Sequence, residues 1–222
     1  MLPDDSSSSK KVLKHRLIFP TPLYSEKVEN ALELNKHLFQ KIKEWKIKNK
    51  ESTNKTNRGG WQSPMDMHLR KEFKPFVDEL LQVQNAVSKN EGYTSSMDIK
   101  AMWANINYPG SYNVPHVHPN SNWSGAYYVK VPKDSGNINF HDPRTKAEMI
   151  EPEQLPVPKL DQRLWKDVVY IPNEGDLILF PAYLTHEVFT NNSKEKDEAG
   201  WRVSISFNLI QSSFFHKSKD GK

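Results

Sequence analysis

Apolar residues recur at near-helical spacing from Val28 through Leu32, Leu38, Ile42 and Trp45, behind Ser25, a residue type suited to an N-cap. The pattern predicts an amphipathic helix that starts near Ser25 and carries lysines on its outer face. A second helix is predicted from about Lys71 to Lys89, with Phe73, Phe76, Val77, Leu80, Leu81 and Val87 inward and Pro75 tolerated in its first turn. Ahead of both, Val12 to Tyr24 holds Leu17-Ile18-Phe19 before Pro20 and Pro22, which suits a short strand ended by proline. Asn49 to Gly60 is polar and closes in Gly-Gly, so it reads as a loop.

After Gly92 the period changes. Ile99–Tyr108, Ser124–Val131, Asn137–His141, Asp176–Phe180 and Trp201–Ile210 are short, rich in β-branched or aromatic residues, and separated by turn residues. Helices first and strands afterwards imply an α+β chain, mainly β, in which a closed or sandwiched antiparallel sheet carries helices on its outside. Residues 1–11 are polar and Ser-rich, the composition of a disordered tail, and 12–222 are expected to form one domain. The long, polar, Pro-containing span from Pro143 to Asp167 is expected to be a lid or disordered.

Composition narrows the chemistry. The absence of cysteine among 222 residues excludes disulfides, Fe–S clusters and Cys-rich zinc sites. The formal charge of +4 comes largely from lysines between Lys10 and Lys55, which read as a solvated face. No Arg-rich or aromatic-interleaved motif argues for nucleic acid. The N-terminus lacks the apolar core of a signal peptide, and no apolar run approaches the ~20 residues that span a bilayer. A soluble, cytoplasmic protein is expected.

The polar positions then become informative. His116 and His118, in Pro115-His-Val-His, are expected to project from one face of a strand. His186 follows Gly175-Asp-Leu-Ile-Leu-Phe-Pro, a turn, a buried strand and a kink that would leave it at the rim of the sheet. His15, His37, His68 and His216 read as ordinary polar residues. In Trp201-Arg-Val-Ser-Ile-Ser-Phe-Asn, the residues Arg202, Ser204, Ser206 and Asn208 share one face and the apolar residues the other. If that polar row faces inward it needs a partner, and a dicarboxylate fits the fork of Arg202 at ~1.5–3 kcal/mol per charge-assisted bond. The other reading is a strand whose polar face is wet.

The order of a Tyr-Pro-Gly turn, Pro-His-x-His, Tyr127-Tyr128-Val129, Gly-Asp-Leu-Ile-Leu-Phe-Pro, a distal His and Arg-x-Ser resembles the Fe(II)/2-oxoglutarate-dependent dioxygenase superfamily, with prolyl-hydroxylase-like motifs. Phe19-Pro-Thr-Pro-Leu, Gly59-Gly-Trp-Gln-Ser and Trp123-Ser-Gly-Ala-Tyr-Tyr-Val resemble an oxygenase family of bacteria and their phages. The resemblance implies a double-stranded β-helix, or jelly-roll, with its metal at the open end. It implies Fe(II) on His116 and His186, 2-oxoglutarate as cosubstrate on Arg202 with Ser204 and Tyr128 beside it, and Tyr108 lining the same pocket. The implied reaction consumes O2, releases succinate and CO2, and hydroxylates a substrate whose class the sequence leaves open between a small molecule, a peptide and a nucleobase.

Position 118 departs from the superfamily, which has Asp or Glu there. We read His118 as the third ligand, with Asp142 as an alternative carboxylate from outside the motif and Glu187 disfavoured because it should point opposite His186. Three histidines are also a catalytic zinc pattern. A zinc hydrolase would need a general base beside the ligands, and none is evident. A jelly-roll that binds a metal or a partner without catalysis is the other alternative. Trp103, Trp123 and the 143–167 span are candidates for substrate walls.

Overall fold

Alternation in the last strand organises the molecule. The computed structural model describes residues 17–53, 55–144, 156, 159 and 165–211. Within β11 (Arg202–Gln211), Val203, Ile205, Phe207 and Leu209 are fully buried on one side, against an apolar layer. Arg202, Ser204, Ser206 and Asn208 point to the other side and line a cavity. Side chains on a strand alternate between faces, so one ten-residue strand supplies both the core and a polar wall.

The larger sheet has the order β1 (Tyr24–Lys27), β9 (Asp176–Pro181), β6 (Trp123–Lys130), β11, β4 (Met97–Asn107), β3 (Trp61–Gln62). The smaller has the order β2 (Asn57–Arg58), β5 (Tyr112–His116), β10 (His186–Val188), β7 (Ile138–His141), β8 (Asp167–Tyr170). Every strand pairing within them is antiparallel. From β4 onward the chain passes back and forth between the sheets, which makes the jelly-roll expected from the sequence. The helices α1 (Ala31–Lys48) and α2 (Lys74–Asn90) cover the outer face of the larger sheet. Phe76 lies 4.7 Å from the Tyr127 ring, and the Tyr127 hydroxyl donates to Asn35 Oδ1 at 2.7 Å. Each large side chain buried there contributes about 1.5–3 kcal/mol. Phe207→Ala would leave a void costing about 3–5 kcal/mol.

Several boundaries differ from expectation. Ser25 is not a cap: it pairs with Ile178 in β1, and the first helix starts at Ala31 behind Asn30, whose φ is 54°. Leu32 is therefore exposed, while Val28 is buried ahead of the helix. Leu17, Ile18 and Phe19 form no strand and are exposed, because Pro20 and Pro22 have no N–H to give a ladder. Two short 3-10 turns precede α2, which begins at Lys74 with Pro75 in its first turn. Strand β2 lies in the span read as a loop, β5 carries His116 as expected but starts soon after the Tyr-Pro-Gly turn, and β3, β8 and β10 are strands that the sequence pattern does not mark. The 1–11 tail and most of 143–167 lie outside the described residues. Among the described residues, no helix is long and apolar enough to cross a membrane.

Candidate metal and cosubstrate site

Three imidazoles meet on the smaller sheet. His116 ends β5 and is directly opposite His186 in β10. His118 lies just past the strand, and its N–H donates to Ala182 O at 2.9 Å, which folds the segment inward. One potential ligand atom from each of the three lies within 4.8 Å of the others. His116 Nδ1 donates to Val114 O at 2.8 Å and His186 Nδ1 to Leu184 O at 2.9 Å. A carbonyl can only accept, so both Nδ1 atoms carry the proton and both Nε2 lone pairs are free. His118 Nε2 is 3.3 Å from His186 Nε2. Metal–nitrogen bonds of ~2.0–2.1 Å put neighbouring nitrogens roughly 3 Å apart, so a divalent ion fits the set. Backbone carbonyls that fix tautomer and ring direction are the usual outer support of such ligands.

The electrostatics agree. Burial, reinforced by His116, pushes His118 down to about 3, and burial with the same neighbour pushes His186 down to about 3. Burial also lowers His116. The ligands are neutral at physiological pH, as coordination needs.

Arg202 stands at the far end of the same cavity, of about 330 Å³. It is 2% exposed. Its Nη1 donates to Gly136 O and its Nη2 to Asn107 Oδ1, each at 3.1 Å. Its Nε has no partner. Among the described residues no carboxylate pairs with it, and burial lowers its pKa. A buried guanidinium with an idle Nε–H is costly unless an anion completes it. Gly136 can present its carbonyl because it holds φ 89° with Phe189 O close behind, where a Cβ would collide. Ser204 faces Tyr128 across the β11–β6 pair, and both line the cavity.

The structure thus brings His116, His118, His186, Arg202, Ser204 and Tyr128 to one cavity. Tyr108 is not among its wall residues. It packs at 5.5 Å against Trp201 with the Lys46 ammonium 5.7 Å from its ring. On β4, Trp103, Asn105 and Asn107 face the cavity, so the next residue turns away. Asn107 takes the wall position instead. It was missed from the sequence, although Asn105-x-Asn107 carries the alternation that marks it. A chain of amides backs it: Asn107 Nδ2 donates to Asn113 Oδ1 and Asn113 Nδ2 to Thr56 Oγ1, both at 3.2 Å. Asp142 is held by Arg144, which lowers its pKa, and is outside the histidine group. Glu187 does point away, to His141 Nε2 at 3.1 Å. Trp103 lines the cavity, whereas Trp123 is buried on the helix side and bonds Tyr93. His37 bonds Glu72 O, while buried His68 Nδ1 lacks a partner. His15 and His216 lie outside the described residues.

Residues 101–208, the span holding all six converging residues, match the family described as "Putative 2OG-Fe(II) oxygenase". That match supports the superfamily resemblance read from the sequence. Among solved structures, a prolyl-4-hydroxylase from Pseudomonas putida superimposes with a TM-score of 0.59 at 12% identity, covering 85% of this chain and 92% of its own. The epimerase SnoN from nogalamycin biosynthesis, solved with Fe3+ and alpha ketoglutarate, gives 0.60 at 12% identity over 86% of this chain and 79% of its own. HygX from Streptomyces hygroscopicus, with nickel and 2-oxoglutarate bound, gives 0.57 at 10% identity over 86% and 84%. These likenesses show a shared fold. No curated protein matches the sequence significantly.

Proposed function

We propose that the protein is an Fe(II)- and 2-oxoglutarate-dependent dioxygenase that hydroxylates its substrate. The observation that carries this is Arg202, a buried cation with an idle donor in the same cavity as three imidazoles whose lone pairs converge. His116, His118 and His186 would hold the iron. Arg202 would take the far carboxylate of the cosubstrate on its free edge, with Ser204 and the Tyr128 hydroxyl beside it. When bound, iron and 2-oxoglutarate supply the oxidising chemistry, in which O2 and the keto acid yield succinate, CO2 and one oxygen atom for a C–H bond.

The chain's own part is positional. Val114 O and Leu184 O fix the ring directions of two ligands. Asn107 and Gly136 hold the guanidinium edge-on. Phe180, whose ring lies 4.7 Å from His186, keeps water from that side. Replacing a carboxylate by His118 removes one negative charge, and the cosubstrate dianion balances Fe(II) without it. SnoN, an epimerase, carries the same fold, so the fold does not set the outcome of the oxidation.

The test is succinate release from 2-oxoglutarate by iron-loaded protein. Turnover that needs iron and is lost in His186→Ala supports the reading, and succinate at the background of metal-free protein refutes it. The histidine at 118 favours one rival, a jelly-roll that binds metal without catalysis, which expects tight metal and no succinate.

A further inference from the structure

The proposed function uses Arg202 and leaves two other cations on the cavity wall. Lys55, from the loop after α1, and Lys100, from β4, line the cavity with Arg202, and among the described residues no aspartate or glutamate lines it. Among the described residues neither lysine is within ion-pair reach of a carboxylate. The Lys100 ammonium donates to Asn120 O at 2.5 Å, a neutral acceptor that leaves its charge uncompensated. Beside it, Asn208 pairs with Ala101 across β11 and β4 and is buried. The Ser124 hydroxyl donates to Asn208 Oδ1 at 2.8 Å, which commits the amide oxygen and leaves its NH2 group to donate. This end of the cavity therefore offers donors and positive charge.

It is also distant from the cosubstrate anchor. Asn208 lies six residues beyond Arg202 on one extended strand, about 20 Å at ~3.3 Å per residue. The imidazoles lie toward this end: His186 packs on Phe180, which is in register with Ser124 and through it with Asn208, and His118 packs on Trp103, opposite Ser206. Position 118 adds to the imbalance, since histidine brings no negative charge. With Fe(II) and the 2-oxoglutarate dianion cancelling, the loaded cavity keeps the charges of its three cationic side chains.

Resting on the 2-oxoglutarate reading, we infer that the primary substrate is a small anion whose carboxylate or phosphate is received at the Lys100–Asn208 end. The loaded complex of the full chain is titrated anaerobically with matched probes, glycerol 3-phosphate against glycerol and N-acetylglycine against N-acetylglycinamide. Calorimetric heat and the visible charge-transfer band report binding. The anionic member of at least one pair should bind about tenfold tighter or better, with an advantage that shrinks as salt rises. Lys100→Gln should remove that advantage and Lys100→Arg keep it. Equal or undetectable binding within both pairs, or an advantage that survives Lys100→Gln, overturns the inference. If Lys100→Gln cannot load 2-oxoglutarate, Lys100 instead holds the His118 segment through Asn120, and the substrate assignment falls. If the unaltered chain forms no 2-oxoglutarate complex, the proposed function itself fails and the inference with it.

Discussion

Replacing Arg202 by methionine removes the guanidinium and keeps an apolar stem of similar reach. In the folded chain this changes two opposing quantities. The bonds to Gly136 O and Asn107 Oδ1 disappear and leave those acceptors buried, at a cost of about 1–3 kcal/mol each. A buried charge with no counter-ion disappears too, which offsets much of that cost. The apoprotein should therefore change stability by about 2 kcal/mol or less. Cosubstrate binding has no such offset. A carboxylate taking two charge-assisted bonds gains about 1.5–3 kcal/mol from each, so Arg202→Met should lose about 3–6 kcal/mol, or roughly 10²- to 10⁴-fold in affinity. Calorimetric titration of 2-oxoglutarate into the metal-loaded variant measures this directly. Metal affinity, measured in parallel, should stay near that of the unaltered protein. A 2-oxoglutarate affinity reduced less than about fivefold, or equal loss of metal and cosubstrate, would refute Arg202 as the anchor.

Three further outcomes follow from the same geometry. His118→Asp should keep metal binding and lower the site's charge by one, shifting the iron reduction potential downward in voltammetry; unchanged potential and affinity would show that position 118 is not a ligand. His118 and His186 sit near 3 when folded against an ordinary 6.5, so the unfolded chain takes up protons first as pH falls. Their neutral burial costs nothing above about 6.5 and destabilises progressively between there and about 3, at up to about 1.4 kcal/mol per unit for each. Urea unfolding of the apoprotein should thus lose about 2–4 kcal/mol between pH 7 and pH 5, and His118→Asn with His186→Asn should flatten the slope; an equally steep slope in the double variant would sink the explanation. Gly125→Ala drives a Cβ into Ile178 O and the Phe207 ring, and should destabilise by about 1–3 kcal/mol in thermal unfolding.

The strong periodicities were legible in the sequence. β11 reads correctly because its alternation is unbroken over eight residues, and Pro75 marks the first turn of α2. The strands that the pattern does not mark are short: β2 and β3 have two residues each and β10 has three. Their pairing depends on partners far along the chain, which no local pattern encodes. His118 shows the same limit. It reaches the site through the backbone of Ala182 rather than by strand alternation. Tyr108 failed for a comparable reason, since the motif locates the turn but the parity of β4 decides which side chain enters the cavity. The idle Nε of Arg202 could not be read from the sequence at all, because it depends on where Gly136 and Asn107 arrive.

Anaerobic addition of Fe(II) and then 2-oxoglutarate to apoprotein tests the central claim most directly. Three converging imidazoles and a guanidinium in one cavity predict a visible charge-transfer band that needs both additions and saturates at one equivalent of each. A protein that binds Fe(II) yet develops no band with excess 2-oxoglutarate would contradict it.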